Sequence, residues 1–157
     1  VVTFVAEQEH LSPSALDELF NKKSGVLGIS GISSDDRDVQ KAADEGDPRA
    51  KLAIDMLRYQ IRKFIGQYAA ALGGVDAIVF TGGIGENVRN HRADILEHLA
   101  FLGVELDREA NEATRGVEAE ITTKNSRVRV FVIPTNEELV IARDTKTIVE
   151  ARLAAVK

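Results

Sequence analysis

"DAIVFTGGIGENVRNHRADI", residues 76–95, runs from four apolar residues, Ala77 to Phe80, into Thr81-Gly82-Gly83-Ile84-Gly85-Glu86-Asn87 and then into an amphipathic pattern. The spacing predicts a strand, a glycine turn and a helix. Three glycines in four positions are costly, because glycine loses the most backbone entropy on folding. At the end of a parallel strand, such a turn exposes backbone N–H groups and lets a ligand lie against the main chain. Gly83-Ile84-Gly85-Glu86-Asn87-Val88 reads G-x-G-x-x-V, which lacks the third glycine of a dinucleotide fingerprint. No G-K-[ST] follows, so a Walker loop is excluded. Two readings remain: a tight strand-to-helix turn, or a nucleotide-contacting loop of another type.

Outward from this segment, strands alternate with helices. Val75 to Phe80 is nearly all apolar, as expected of a strand buried on both faces. Upstream, Asp47-Pro48 opens the longest predicted helix, with Leu57, Ile61, Phe64, Ile65, Tyr68 and Leu72 at helical spacing and Gly73-Gly74 closing it. At about 1.5 Å per residue, this rod is about 37 Å long. Ser12-Pro13 reads as the N-cap and first residue of a short helix carrying Leu16, Leu19 and Phe20. "SGVLGISGISSDDRDV" (24–39) has loop chemistry.

Downstream, Ile95, Leu96 and Leu99 share a helix face that stops near Gly103, and "REANEATRG" looks like another short helix. Val128, Val130 and Val132 alternate with Arg127, Arg129 and Phe131 as in a strand ended by Pro134. A last helix follows, with Leu139, Ala142, Ile148 and Leu153 expected inward. The class is α/β, and residues 1–157 are expected to form a single domain.

The chain has 157 residues, 44% hydrophobic and 29% charged, enough for an ordinary core. With 20 basic against 25 acidic residues, the net charge is −5, and no basic footprint points to nucleic acid. Cysteine is absent, which excludes a disulfide framework and a thiolate zinc site and fits a reducing cytoplasm. No apolar run approaches the roughly 18 residues of a membrane span, so the expectation is a soluble, cytoplasmic protein. The opening Val1-Val2-Thr3-Phe4, without a methionine, suggests a piece of a longer protein.

Two further segments carry chemistry. In Asp35-Asp36-Arg37 a carboxylate suits ribose hydroxyls and a planar guanidinium suits a purine face; the same triplet also suits a solvated helix N-terminus. In Thr135-Asn136-Glu137-Glu138, an N-cap at Thr135 makes Glu138 the third helical residue of a capping box. Glu137 is then the free carboxylate, suited to a Mg²⁺ held by one or two protein groups plus phosphate oxygens. His10, His91 and His98 form no ligand set and read as surface residues.

Taken together, "SGVLGISGISSDDRDV", "LGGVDAIVFTGGIGENVRNHRADI", "LGVELDREAN" and "VFVIPTNEELVIARDT", in this order, closely resemble the carboxy-terminal part of the acetate kinase family. That family belongs to the actin/sugar-kinase/Hsp70 nucleotide-binding superfamily, and the likeness covers essentially the whole chain. It implies a ribonuclease H-like, actin-like ATPase domain, the nucleotide-binding half of a two-domain kinase. It also implies reversible phosphoryl transfer between ATP and acetate, giving ADP and acetyl phosphate.

By the same likeness, Asp35, Asp36 and Arg37 together with Gly83, Ile84, Gly85, Glu86 and Asn87 flank the adenosine. Asp35 faces the ribose, Arg37 and Ile84 the adenine. The carboxy-terminal Mg²⁺ ligand falls on Glu137. The likeness further implies a homodimer, with the helix from about Asp47 to Leu72 and the last helix as candidate contacts. The family's H-L-G-N-G loop, its catalytic arginine and aspartate and its acetate pocket have no counterpart here, so no catalytic residue is expected in these 157 residues and the chain alone is expected to be inactive. A propionate or butyrate kinase of the same family, or an ATP-binding module without transfer chemistry, are the other readings.

Overall fold

The computed structural model describes residues 1–155. The chain divides into two compact units, Val1–Gly74 and Val75 onward.

The first unit is helical. α1 (Val2–Gln8) was not foreseen from sequence; α2 (Pro13–Glu18) follows as expected, its N-cap Ser12 accepting from the Ala15 amide, and runs into a π-helical turn at Leu19–Lys23. The Gly/Ser stretch read as a loop contains α3 (Gly25–Ser30), and its acidic end begins α4 (Asp36–Asp44). Burial overrides propensity here. Val26 and Ile29 pack against Val39, Ala50, Ala53 and Ile54, the unit's core. The Arg49 guanidinium donates to the Ile29 and Gly28 carbonyls at the end of α3, and Gly31 closes that helix at φ 71°.

α5 (Pro48–Leu72) has the expected cap and stop: Asp47 accepts from the Arg49 and Ala50 amides, and Gly73 sits at φ 73°. Its covered stripe is deepest in the first part and continues through half-buried Leu57, Ile61 and Ile65 to buried Ala69. Ala50, Ala53 and Ile54 are buried, whereas Phe64, Tyr68 and Leu72 stay more than half exposed. Phe64 and Tyr68 stack on each other, ring centroids 6.5 Å apart.

The second unit is built on a three-stranded sheet in the order β1-β3-β2. β1 (Ala77–Phe80) runs parallel to β3 (Arg129–Val132), with Ala77 opposite Arg129 and Phe80 opposite Val132. The two-residue β2 (Ala119–Glu120) is antiparallel to β3. Between β1 and β2 lie α6 (Gly82–Asn87), α7 (Arg89–Glu97), a 3₁₀ turn at Ala100–Leu102 and α8 (Arg108–Ala113). Val128, Val130 and Val132 point into the core as their alternation required.

Two expectations need correction. β1 is buried on one face only: Ile78 and Phe80 are inside, while Ala77 and Val79 are exposed. The neighbouring β3 shows the same one-sided burial, so among the described residues one face of the sheet is the covered one and a run of apolar residues does not mean two covered faces. In α9 (Glu137–Ala155), Leu139, Ile148 and Leu153 are exposed instead of inward. Helical periodicity marks a face that favours burial but not what covers it. Among the described residues no helix is long and apolar enough to cross a membrane.

Candidate functional site

β1 and β3 are adjacent and parallel, so the turns that follow them emerge at the same edge of the sheet. This is where open α/β sheets receive ligands. Gly82 and Gly83 from the first turn, with Thr135, Asn136, Glu137 and Glu138 from the second, line an open cleft of about 420 Å³.

The three glycines do three different jobs. Gly82 sits at φ 71°, a backbone conformation that L side chains rarely adopt. At Gly85 an added Cβ would stand 3.3 Å from the carbonyl carbon of Phe80, at the strand end. Gly83 has neither constraint: nothing lies within 4 Å of where its Cβ would be. Gly82 and Gly83 thus both leave bare main chain facing open space, and of the three glycines Gly83 alone does so without a conformational reason to be glycine. Ile84 beside it is 38% exposed.

Glu86 ties the two turns together. Its Oε1 accepts from the Gly82 amide at 2.8 Å, the Thr135 amide at 2.8 Å and the Thr135 hydroxyl at 3.0 Å. The Thr135 amide above all, then its hydroxyl and the Gly82 amide, hold the carboxyl below its ordinary value. Asn87 turns back and donates to the Gly83 carbonyl at 2.9 Å.

The capping box does not form. Thr135 is drawn to Glu86, and Asn136 takes the cap position, its Oδ1 accepting from the Leu139 amide at 3.0 Å. Glu137 and Glu138 both fall in the first turn of α9, where the helix dipole favours acids. The elimination that singled out Glu137 thus fails, and two carboxylates line the cleft. Among the described residues no three His, Cys, Asp or Glu side chains are grouped to hold a metal. One or two carboxylates at an open, phosphate-sized cleft fit a Mg²⁺ whose remaining ligands are phosphate oxygens and water.

In the first unit, Asp35 and Arg37 bind each other. Asp35 caps α4 by accepting from the Arg37 amide at 2.9 Å, and the guanidinium reaches back to both carboxylate oxygens at 3.0 and 2.5 Å. That fork, followed by the amide bond, lowers the Asp35 carboxyl to about 2. Asp36 is the first residue of α4 and is half-buried.

Sequence reasoning missed the cleft's main support. Arg92 is completely buried. Its Nη1 donates to the Gly85 and Glu86 carbonyls at 2.8 and 3.0 Å, and its Nε donates to Asn111 Oδ1 at 2.9 Å. Its Nη2 reaches the Asn111 and Thr114 carbonyls at 3.2 and 2.6 Å. Burial pushes its pKa down, and these carbonyl and amide oxygens stand in for water. The signal was present: Arg92 lies on the helical face of Ile95, Leu96 and Leu99. His91, expected at the surface, is also buried, whereas His98 and His10 are exposed as expected.

Adjacent parallel strands with their turns at one sheet edge are consistent with part of an α/β, actin-like ATPase fold, and solved structures share the arrangement. The acetate kinase of Porphyromonas gingivalis matches at a TM-score of 0.86 and 49% identity, over 94% of this chain and 37% of that one. A propionate kinase of Francisella tularensis matches at 0.78 and 41%, over 89% and 35%. The acetate kinase of Halothermothrix orenii is 54% identical over 151 residues, 96% of this chain and 38% of its own length. The chain belongs to the acetokinase family, whose model matches residues 1–143. It spans less than two fifths of the length of these relatives.

Proposed function

We propose that the chain supplies the nucleotide-binding part of an acetate kinase, which moves the terminal phosphoryl group of ATP to a carboxylate oxygen of acetate, reversibly, giving acetyl phosphate and ADP. The observation that carries this reading is the cleft itself. Bare backbone at Gly83 faces two acids at the start of α9, across a space that fits phosphates. In phosphoryl transfer the protein mostly positions the reactants and stabilises charge, and the residues here do that work. Gly83, Ile84, Gly85 and Asn87 shape the seat for the nucleotide. On the first unit, Asp35, Asp36 and Arg37 are proposed contacts for ribose and adenine, the Asp35–Arg37 pair exchanging its mutual fork for the ligand.

Glu137, at the cleft, is the proposed Mg²⁺ ligand, with Glu138 beside it. When bound, Mg²⁺ supplies positive charge against the phosphate oxygens. The protein is proposed to act in the cytoplasm as a homodimer. Its likeness to a propionate kinase supports a second reading, the same chemistry on a longer acyl acid.

The test is calorimetric titration with ADP, with Mg²⁺ and with a chelator. Gly83→Val, which fills the seat, is expected to weaken ADP binding at least tenfold in both conditions, about 1.4 kcal/mol. Glu137→Gln is expected to remove the gain from Mg²⁺, whereas Glu138→Gln keeps it. Unchanged ADP binding in Gly83→Val, or a loss that follows Glu138 alone, refutes the assignment.

A further inference from the structure

Glu86 lies in the glycine turn, yet its carboxylate is directed at the protein. One oxygen collects donors from Gly82 and from Thr135, a residue 49 positions away. Its own carbonyl is held as well, by Arg92 at 3.0 Å and by the Gly116 amide at 3.0 Å. The residue is half-buried. An acid beside a seat for phosphates would ordinarily repel them. Here three donors converge on the charge, which is how a glutamate is tolerated in that turn.

The path from one wall of the cleft to the other is short and consists of strong contacts. Gly82 binds Glu86, Glu86 binds Thr135, and Asn136 caps the helix on which Glu137 is the first residue. Hydrogen bonds to an ionised group are the stronger kind. The β1–β3 pairing, whose last bond runs from the Ile133 amide to the Phe80 carbonyl at 2.9 Å, brings the two turns together, and beyond it one side chain ties the backbone at Gly82 to the start of α9.

Resting on the nucleotide-site reading above, we infer that Glu86 is a positioning residue, touching neither nucleotide nor cation, through which phosphate binding and Mg²⁺ binding reinforce each other. Nucleotide and cation share the phosphate oxygens, so each gains from the other only if both walls stand at the right separation. Loosening the tie weakens the mutual gain more than it weakens either partner alone.

The experiment measures ADP dissociation constants with Mg²⁺ and with a chelator, and takes their ratio as the coupling. Thr135→Val deletes one of the three donors and leaves the backbone amide in place. It is expected to lower the coupling about fivefold to tenfold, the size of one ordinary net hydrogen bond, since two of the three donors remain. Thr135→Ser, which restores the hydroxyl, is expected to return it to the parent value. Glu86→Gln keeps the shape, removes the charge and should lower the coupling as Thr135→Val does, with the circular dichroism spectrum unchanged.

A Thr135→Val protein with parental coupling overturns the inference. So does one that loses ADP affinity equally with and without Mg²⁺, since Glu86 would then only hold the turn. In both cases the nucleotide-site reading survives. A parent chain that binds no ADP, or a Gly83→Val protein that binds it normally, brings down that reading and this one together.

Discussion

Gly83 and Gly85 stand two residues apart in one turn and answer a methyl group in opposite ways. At Gly83 the space is open, so Gly83→Ala should be neutral or stabilising by about 0.5 kcal/mol, as an alanine replacing a helical glycine generally is. At Gly85 the added carbon meets the backbone of Phe80, whose carbonyl accepts from Ile133 in the sheet and has little room to retreat. Gly85→Ala should cost about 1–2 kcal/mol, within the range of overpacking. Urea unfolding of the two variants checks the contrast. Equal midpoints would show that the turn adapts. A sequence cannot distinguish these glycines, because the distinction lies in which one faces the strand and which one faces the cleft.

Among elements, the β2–β3 pair shows how a short strand is held. Glu120 on β2 grips Arg129 on β3, Nε at 2.9 Å and Nη2 in contact, and the guanidinium lies 4.9 Å from the Phe131 ring. The Arg129 bonds, and next the Thr122 hydroxyl, bring the Glu120 carboxyl down to about 2 from an ordinary 4.5. A depressed acid stabilises the fold above its unfolded-state value and loses that contribution as pH falls through its folded value. The grip should therefore weaken between pH about 4.5 and about 2. A carbon-detected NMR titration should place the Glu120 midpoint near 2, and Arg129→Gln should return it toward 4.5. An unshifted midpoint in the parent protein refutes the pairing. α3 makes a related point about elements: Gly and Ser predict a loop, and it is the burial of Val26 and Ile29 that makes those residues a helix.

For the molecule as a whole, α9 matters most. Val140, Ile141 and Leu153 are each more than half exposed, an arrangement that favours cover by another surface. A homodimer through α9 would provide it. Sedimentation equilibrium at micromolar concentration should then return twice the chain mass, and Ile141→Asp the single mass. A monomeric parent counts against this role for α9.

The α/β class, the boundaries of α5, the existence of α7 though not its end at Glu97, a strand at 128–132 and the family were all legible in the sequence. They depend on local chemistry: period, caps, glycines and a run of specific motifs. The cap of α9 was misread at Thr135 because the competitor for that hydroxyl, Glu86, lies 49 residues away. His91 was read as a surface side chain, and Arg92 drew no reading at all, because polarity is a guide to exposure only until other parts of the chain supply enough polar partners. Sequence determined most of the regular segments, α1 and α3 excepted, and marked the residues proposed to bind. Which of them face the cleft, and which are held by the protein itself, was decided when β1 and β3 came side by side, because hydrogen bonds between distant residues have no signature along the chain.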